Sequence, residues 1–337
     1  MVRGTYVMET DRTKRRLGTS RALAPAWWES FNFRLRDARD VLDCECDCVF
    51  CNNRFKFGAQ RWSIYGAILE RIVPAAGERR HPPAPAAPRY IVAFRGTMPP
   101  WHRGDMNANI EMLVNRQHDC RRFCHARSKV GELLNSIAYG GGAVWLAGHS
   151  LGASIALDVG REMATTKGCY LQTFLFNPPQ VSVAPLLNVL RVPDVARRFL
   201  YRISYTVKAK MGAMAVLRPF EKKMEELFER LAPWVPELFV HERDFVCRGF
   251  VDYFEQRQNM LGGSAQVALV GTKLSLRDML LFLHGENKEE KPVQPHLLPS
   301  ARLWKTSIQG HRHDLQQWME PDRVLNLNSR LYRYPGA

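Results

Sequence analysis

No stretch of this 337-residue chain approaches the roughly 18–20 consecutive apolar residues needed to cross a bilayer. The opening residues, MVRGTYVMETDRTKRR, hold no apolar core of a secretory leader. These two absences lead us to expect a cytoplasmic protein. There is also no internal repeat and no low-complexity linker, so a single domain over residues 1–337 is expected. Acidic residues are the minority: 33 Asp and Glu against 48 Lys and Arg give a formal charge of +15. That balance favours anionic partners and is compatible with peripheral contact with an anionic membrane surface. The basic residues lie in short separate groups, such as Lys14–Arg16, Arg79–Arg80 and Arg197–Arg198, and no nucleic-acid-binding motif accompanies them. Nucleic acid is therefore not expected as a partner.

Cysteine is not scarce, but its metal-binding pattern is incomplete. Four of the eight fall in CECDCVFC, as Cys44, Cys46, Cys48 and Cys51. Cys48 and Cys51 make a C-x-x-C pair, yet a second such pair or a spaced histidine pair is missing. Cys120, Cys124 and His125 are the nearest substitutes. In a reducing compartment the expectation is reduced thiols on an irregular insertion over 43–61, with no metal and no organic cofactor.

What is present reads as an α/β protein. AWWESFNFRLR (26–36) suggests a helix or extended segment with an aromatic face, and WSIYGAILE (62–70) alternates like a strand. The four prolines of AAGERRHPPAPAAP then force an exposed loop. RYIVAFRGT (89–97), AVWLAG (143–148) and LQTFLFN (171–177) are short apolar runs that suit buried strands. Between them, apolar positions in 107–138 recur at three- and four-residue steps, and LGASIALDVGREMA (151–164) predicts a helix ending near Gly168. Strand, helix, strand, helix, strand in this order predicts a mostly parallel central sheet with helices on both faces. Residues 211–234 predict a further helical region, with Met224, Leu227, Phe228 and Leu231 on one face, and 180–236 form the natural cap insertion. ELFVHERDFVC (237–247) predicts a strand and an acidic loop, and SARLWKTSI (300–308) the last strand.

The chemistry centres on LAGHSLGAS, with Ser150 between Gly148 and Gly152. The bare pattern G-x-S-x-G arises by chance in roughly one 300-residue chain in ten, so its setting matters more than its letters. A strand runs into it and a helix leaves it, which is the arrangement that lifts a serine above the carboxyl edge of a sheet. The flanking positions must then be small, because two backbones pass close beside them. Gly148 and Gly152 meet that need, and Ala153 and Ala156 keep the helix close. The helix N-terminus aims free N–H groups at the site, with the Leu151 N–H as the first candidate oxyanion donor. A serine nucleophile needs a base, and the base needs an orienting carboxylate. Asp244, in the HERD loop after a strand-like LFV, is the leading acid, with Asp252 and Asp194 as alternatives. Five histidines follow Ser150, namely His241, His284, His296, His311 and His313, while His149 is expected to pack or hydrogen-bond locally.

FRGT on one strand and WLAGHSLGA on the next resemble the class 3 (fungal-type) lipases, a family of α/β-hydrolases. YVMETDR, APAWWESFNFRL, FLFNPP, LFVHERDFVC, HLLPSARLW and HDLQQW resemble its plant members, often named GDSL esterase/lipase-like. The chain itself contains no Gly-Asp-Ser-Leu; its serine sits in GHSLG. The resemblance runs in blocks from about residue 5 to residue 335 and implies the α/β-hydrolase fold and ester hydrolysis through an acyl-serine. It implies that Thr97, at the end of FRGT, contributes to the oxyanion hole. It also implies the chain order Ser, Asp, His, which favours Asp244, and through H-x-x-x-QW it selects His313 as base, with His311 second. The expected function is therefore hydrolysis of carboxylic esters, acyl lipids among them. A catalytically silent binding or scaffold protein and an acyltransferase using the same serine are the alternatives. Relatives lack the cysteine-bearing stretch and have a helical lead-in before GTYVMETDR that is not evident here.

Overall fold

A computed structural model describes residues 1–16, 26–36, 38–45, 62–72, 87–98, 120–137, 143–180, 214, 217–261, 273–274, 297–310 and 312–334. Most of the expected cap, most of the Cys-bearing insertion, Asp194, His284, His296 and His311 lie outside the described residues. The chain divides into two compact units, residues 1–163 with 169–178, and residues 164–168 with 179–337. Both are α/β.

In the first unit, strands β3 (Trp62–Arg71), β4 (Tyr90–Phe94), β5 (Val144–His149) and β6 (Gln172–Phe176) lie side by side. β4, β5 and β6 are parallel, in a register that pairs Phe94 with Gly148 and His149 with Phe176. β3 is antiparallel to β4, and the short β1 (Phe33–Arg34) and β2 (Val41–Glu45) both pair antiparallel with β3. The expected irregular stretch 43–61 thus begins as strand, since β2 carries Asp43 to Glu45. The parallel strands are the apolar runs of the sequence, and Val92, Ala93, Phe94, Val144 and Leu146 are buried. Each large aliphatic or aromatic side chain so buried contributes about 2 kcal/mol.

Helix α1 (Val2–Arg16) is formed by the segment that holds GTYVMETDR itself, which the sequence did not mark as helical. Its anchoring mixes apolar contacts (Val2 is buried, and Met8 packs against Trp28, Phe33 and Leu69) with buried polar groups. The buried carboxylate of Glu9 accepts the Ile64 N–H at 2.6 Å, and Arg12 bridges Glu9 to Asp43. At that level β3 carries one extra residue against β2, between the pairs Leu42–Gly66 and Asp43–Ile64. Helix α2 (Arg121–Ser136) covers the C-terminal half of the segment expected to be helical. Helix α3 (Leu151–Lys167) ends at Gly168, whose φ of +62° is the left-handed stop.

In the second unit, β7 (Glu237–His241) and β8 (Ala301–Thr306) are parallel, and β9 (Asn328–Tyr332) closes the edge antiparallel to β8. β8 is therefore not the last strand. β9 escapes sequence reading because four of its five residues are exposed and only Tyr332 is buried. Helix α4 (Arg218–Leu231) buries Phe220, Met224, Phe228 and Leu231. Helix α5 (Arg248–Leu261) buries the Arg257 guanidinium, which donates to the carbonyls of Leu298, Pro299 and Arg333. One cation thereby ties the helix to the segments that flank β8 and β9. Among the described residues no helix is long and apolar enough to cross a membrane.

Candidate active site

β5 passes into α3 through a single residue, and that residue is Ser150, with φ at +52°. A non-glycine residue held in the left-handed region costs about 1–3 kcal/mol and persists only where its surroundings over-determine it. Here they do. The Ser150 N–H donates to the Phe176 carbonyl at 2.9 Å, and the Ser150 carbonyl accepts from the N–H groups of Ala153 and Ser154. A Cβ on Gly148 would run into the Gly152 backbone, and one on Gly152 into the carbonyls of Phe94 and Arg95. The two glycines thus let β5, α3 and the end of β4 approach more closely than any side chain permits. Leu151 opens the helix, so its N–H is one of those the helix itself leaves without a partner.

Beside the serine lies the FRGT segment. A Cβ on Gly96 would sit 2.9 Å from the Ser150 Cβ and 2.9 Å from the His149 carbonyl. The buried Arg95 guanidinium donates through Nη1 to the Gly96 carbonyl at 2.7 Å, and through Nε to the Ile64 carbonyl. Because the peptide is planar and trans, the Thr97 N–H is directed opposite to that carbonyl, away from Arg95. Ser150, Leu151, Gly96 and Thr97 therefore belong to one corner of the first unit. The Tyr6 hydroxyl, from α1, joins this corner. It lies 2.6 Å from the Gly96 N and 2.8 Å from the His149 Nδ1. Sequence reading kept YVMETDR only as part of a resemblance and gave Tyr6 no role; with no apolar periodicity around it, nothing local marked it out. His149 is buried, and its Nδ1 bonds to Tyr6, 143 positions away, rather than to a neighbour in the chain as expected.

Asp244 and His313 meet in the second unit, with the His313 Nδ1 2.7 Å from the Asp244 Oδ2. They leave the carboxyl ends of paired parallel strands, Asp244 three residues after β7 and His313 seven after β8. His241 laces the two loops together. Its Nδ1 accepts the Arg243 N–H at 3.1 Å, so its Nε2–H is the group that donates to the Ile308 carbonyl, at 2.8 Å. That bonding occupies both ring nitrogens and sets the Nε2–H tautomer. The HDLQQW segment frames His313 in turn. Asp314 caps the following turn by accepting the Gln316 N–H at 2.9 Å, and buried Gln317 donates to the Arg312 carbonyl at 3.0 Å. Trp318 packs edge-on against Phe239, which stacks on Trp304.

The Asp244 side chain is buried and well supplied with donors. Oδ1 accepts the Val246 N–H at 3.0 Å, and Oδ2 accepts both the His313 ring and the Cys247 thiol, the latter at 3.1 Å. The alternative acid Asp252 instead faces Arg248 on its own helix, 3.9 Å away. Among the described residues no group of three or more His, Cys, Asp or Glu is arranged to hold a metal ion. Cys120 is buried ahead of α2, Cys124 is exposed, and the His125 Nδ1 is bonded to the Tyr65 hydroxyl at 2.9 Å.

No family model and no solved structure matches this chain. A protein of Arabidopsis thaliana named GDSL esterase/lipase is 33% identical over 350 residues, an alignment that covers 99% of this chain and 90% of the relative. The chain belongs to the esterase/lipase family of that Arabidopsis protein.

Proposed function

We propose that this chain is a serine hydrolase of carboxylic esters, with acyl lipids as its substrate class, built on the α/β-hydrolase fold of the class 3 lipases. Ser150 is the nucleophile, His313 the general base and Asp244 the carboxylate that orients it; Thr97 and the Leu151 N–H receive the oxyanion. Residues 180–236, which include α4, form the cap. The observation that carries the reading is the left-handed Ser150 at the strand-to-helix turn, backed against Gly96. Conformational strain at a serine between two obligatory glycines has no use in a plain connecting turn, whereas it lifts a nucleophile clear of the sheet. The 2.7 Å pairing of His313 Nδ1 with buried Asp244 adds to it, because it leaves Nε2 as the nitrogen that accepts a proton.

In the reaction, His313 Nε2 takes the Ser150 hydroxyl proton as Oγ bonds to the ester carbonyl carbon. The carbonyl oxygen becomes an anion held by the Thr97 and Leu151 donors. Losing one such donor costs about 3–4 kcal/mol of transition-state stabilisation. The C–O bond to the alcohol then breaks, the imidazolium returns its proton to the leaving alkoxide, and an acyl-serine remains. Water, deprotonated by the same imidazole, attacks the acyl carbon, the bond to Ser150 Oγ breaks, the imidazolium returns its proton to Oγ, and the acid leaves.

The test is labelling with a fluorophosphonate probe, comparing wild type with Ser150→Ala and His313→Ala. Labelling of wild type and its loss in both variants is the expected result. A folded wild type that takes no label overturns the enzyme reading and leaves the silent scaffold. A chain-length series of aryl esters then separates short-chain esterase from lipase.

A further inference from the structure

We propose that Tyr6 is a positioning residue for ester hydrolysis: its hydroxyl, shared between the Gly96 N–H and the His149 Nδ1, sets the distance between the oxyanion corner and the nucleophile turn. The inference rests on the hydrolase reading above. The bonding pattern is directional. A main-chain N–H can only donate, so at 2.6 Å the Tyr6 oxygen is the acceptor for Gly96. Its single hydrogen then goes to His149 Nδ1, 2.8 Å away, which makes the Nε2–H tautomer of His149 the matching one. A hydroxyl used in both senses polarises in both bonds, so the pair is stiffer than either bond alone.

The two ends of this bridge are the two parts that must be held in register. Gly96 immediately precedes Thr97, and its carbonyl is already fixed from inside by Arg95. With the carbonyl held by Arg95 and the N–H held by Tyr6, the peptides on either side of Gly96 have little freedom left to rotate. His149 immediately precedes Ser150 and ends β5. Nor can Gly96 grow a side chain, since its Cβ would lie 2.5 Å from the Tyr6 hydroxyl. Tyr6 in turn is held from behind: Glu9, one turn along α1, is bonded to the main chain of β3 through the Ile64 N–H. The N-terminal helix is thus the brace of the site rather than a decoration on the sheet.

The experiment measures kcat and KM for a short aryl ester in wild type, Tyr6→Phe, His149→Leu, His149→Asn and Tyr6→Phe/His149→Leu. A direct oxyanion donor is worth 10²–10³ in kcat, so a residue acting through such a donor should be worth about tenfold. The expected results are a fall in kcat of about tenfold in Tyr6→Phe with KM within about twofold, and a similar fall in His149→Leu. The double variant should be no worse than the poorer single one, because both remove one bridge. His149→Asn, whose Oδ1 replaces the acceptor of Nδ1, should recover most of the rate. Stoichiometric labelling by fluorophosphonate at long times confirms a folded site in each variant, and His149→Leu probes the bridge from its other end should Tyr6→Phe fold poorly. Wild-type kcat in Tyr6→Phe, losses that multiply in the double variant, or no recovery in His149→Asn each overturns the proposal while leaving the hydrolase standing. An inert wild type overturns both.

Discussion

Asp244 presents an unusual degree of preparation for a single side chain. A carboxylate fully withdrawn from water loses several kcal/mol of hydration unless its lone pairs are met by donors. Val246 N–H, the Cys247 thiol and the His313 ring meet them from three directions. Asp244→Asn keeps the shape but presents an amide to the ring, which turns the imidazole tautomer the wrong way. The expected outcome is a loss in kcat of about 10³–10⁴ with KM little changed, read by steady-state hydrolysis of an aryl ester. Cys247 donates to the carboxylate at Oδ2, so its contribution is positional. Cys247→Ser, which retains a donor, should stay within about threefold of wild type, and Cys247→Ala should lose more, since one lone pair of a buried carboxylate goes unmet. At this scale His313 was selected through its resemblance to H-x-x-x-QW, whereas the bonding of His241 was not foreseen. Nothing in HERD announces that its histidine spans two loops, because its partner, the Ile308 carbonyl, is 67 residues away.

At the scale of elements, α2 and α3 are joined by the ion pair of Arg127 with Asp158, 2.6 Å apart and largely buried. Burial pushes the Asp158 carboxyl above its usual value, and the attraction of Arg127 only partly offsets it. A carboxyl raised in the folded state holds its proton to a higher pH than the unfolded chain does. Its contribution to stability is therefore full in acid and declines as pH rises through the folded value. Removing the guanidinium removes the offset and extends that decline upward. Arg127→Met should cost about 3–5 kcal/mol at neutral pH, and the deficit should shrink as pH falls towards 4, measured by urea unfolding across a pH series. A deficit that is flat with pH would show that packing, not charge, carries the contact. The tight crossing of α3 over the end of β4 gives a second expectation. Gly152→Ala drives a methyl into two main-chain carbonyls that cannot rotate away, so a loss of several kcal/mol and of fluorophosphonate labelling is expected. The strands β4, β5 and β6 and helix α3 were readable because apolar runs and a helical stripe mark buried elements. Helix α1 and strand β9 were not, since one intersperses its apolar contacts with the polar anchors Glu9 and Arg12 and the other is largely exposed.

Over the whole molecule, the excess of 15 positive charges is spread along the chain rather than gathered in one block. Such a field extends about one Debye length, near 8 Å at physiological ionic strength, and salt erodes it. The full-length protein should sediment with vesicles containing anionic lipid at about 50 mM salt, and should release as salt approaches about 0.5 M. Retention at high salt would instead indicate apolar insertion. Ser150 belongs to the first compact unit, and the Asp244–His313 pair to the second.

The sequence by itself determined the elements that bury apolar surface and the two glycines that admit Ser150, and it named Asp244 and His313 as candidates behind them. Those features are local, or nearly so: a strand period, a helix stripe, a residue too small to be replaced. The tertiary structure decided which polar groups meet. It brought Glu9 to β3, Tyr6 to Gly96 and His149, Cys247 and His313 to one carboxylate oxygen, and His241 across two loops. A hydrogen bond between residues 90 or 143 positions apart leaves no period in the chain, because its geometry exists only once the backbone has folded. The candidate residues were therefore named from the letters, and their hydrogen-bond partners only from the fold.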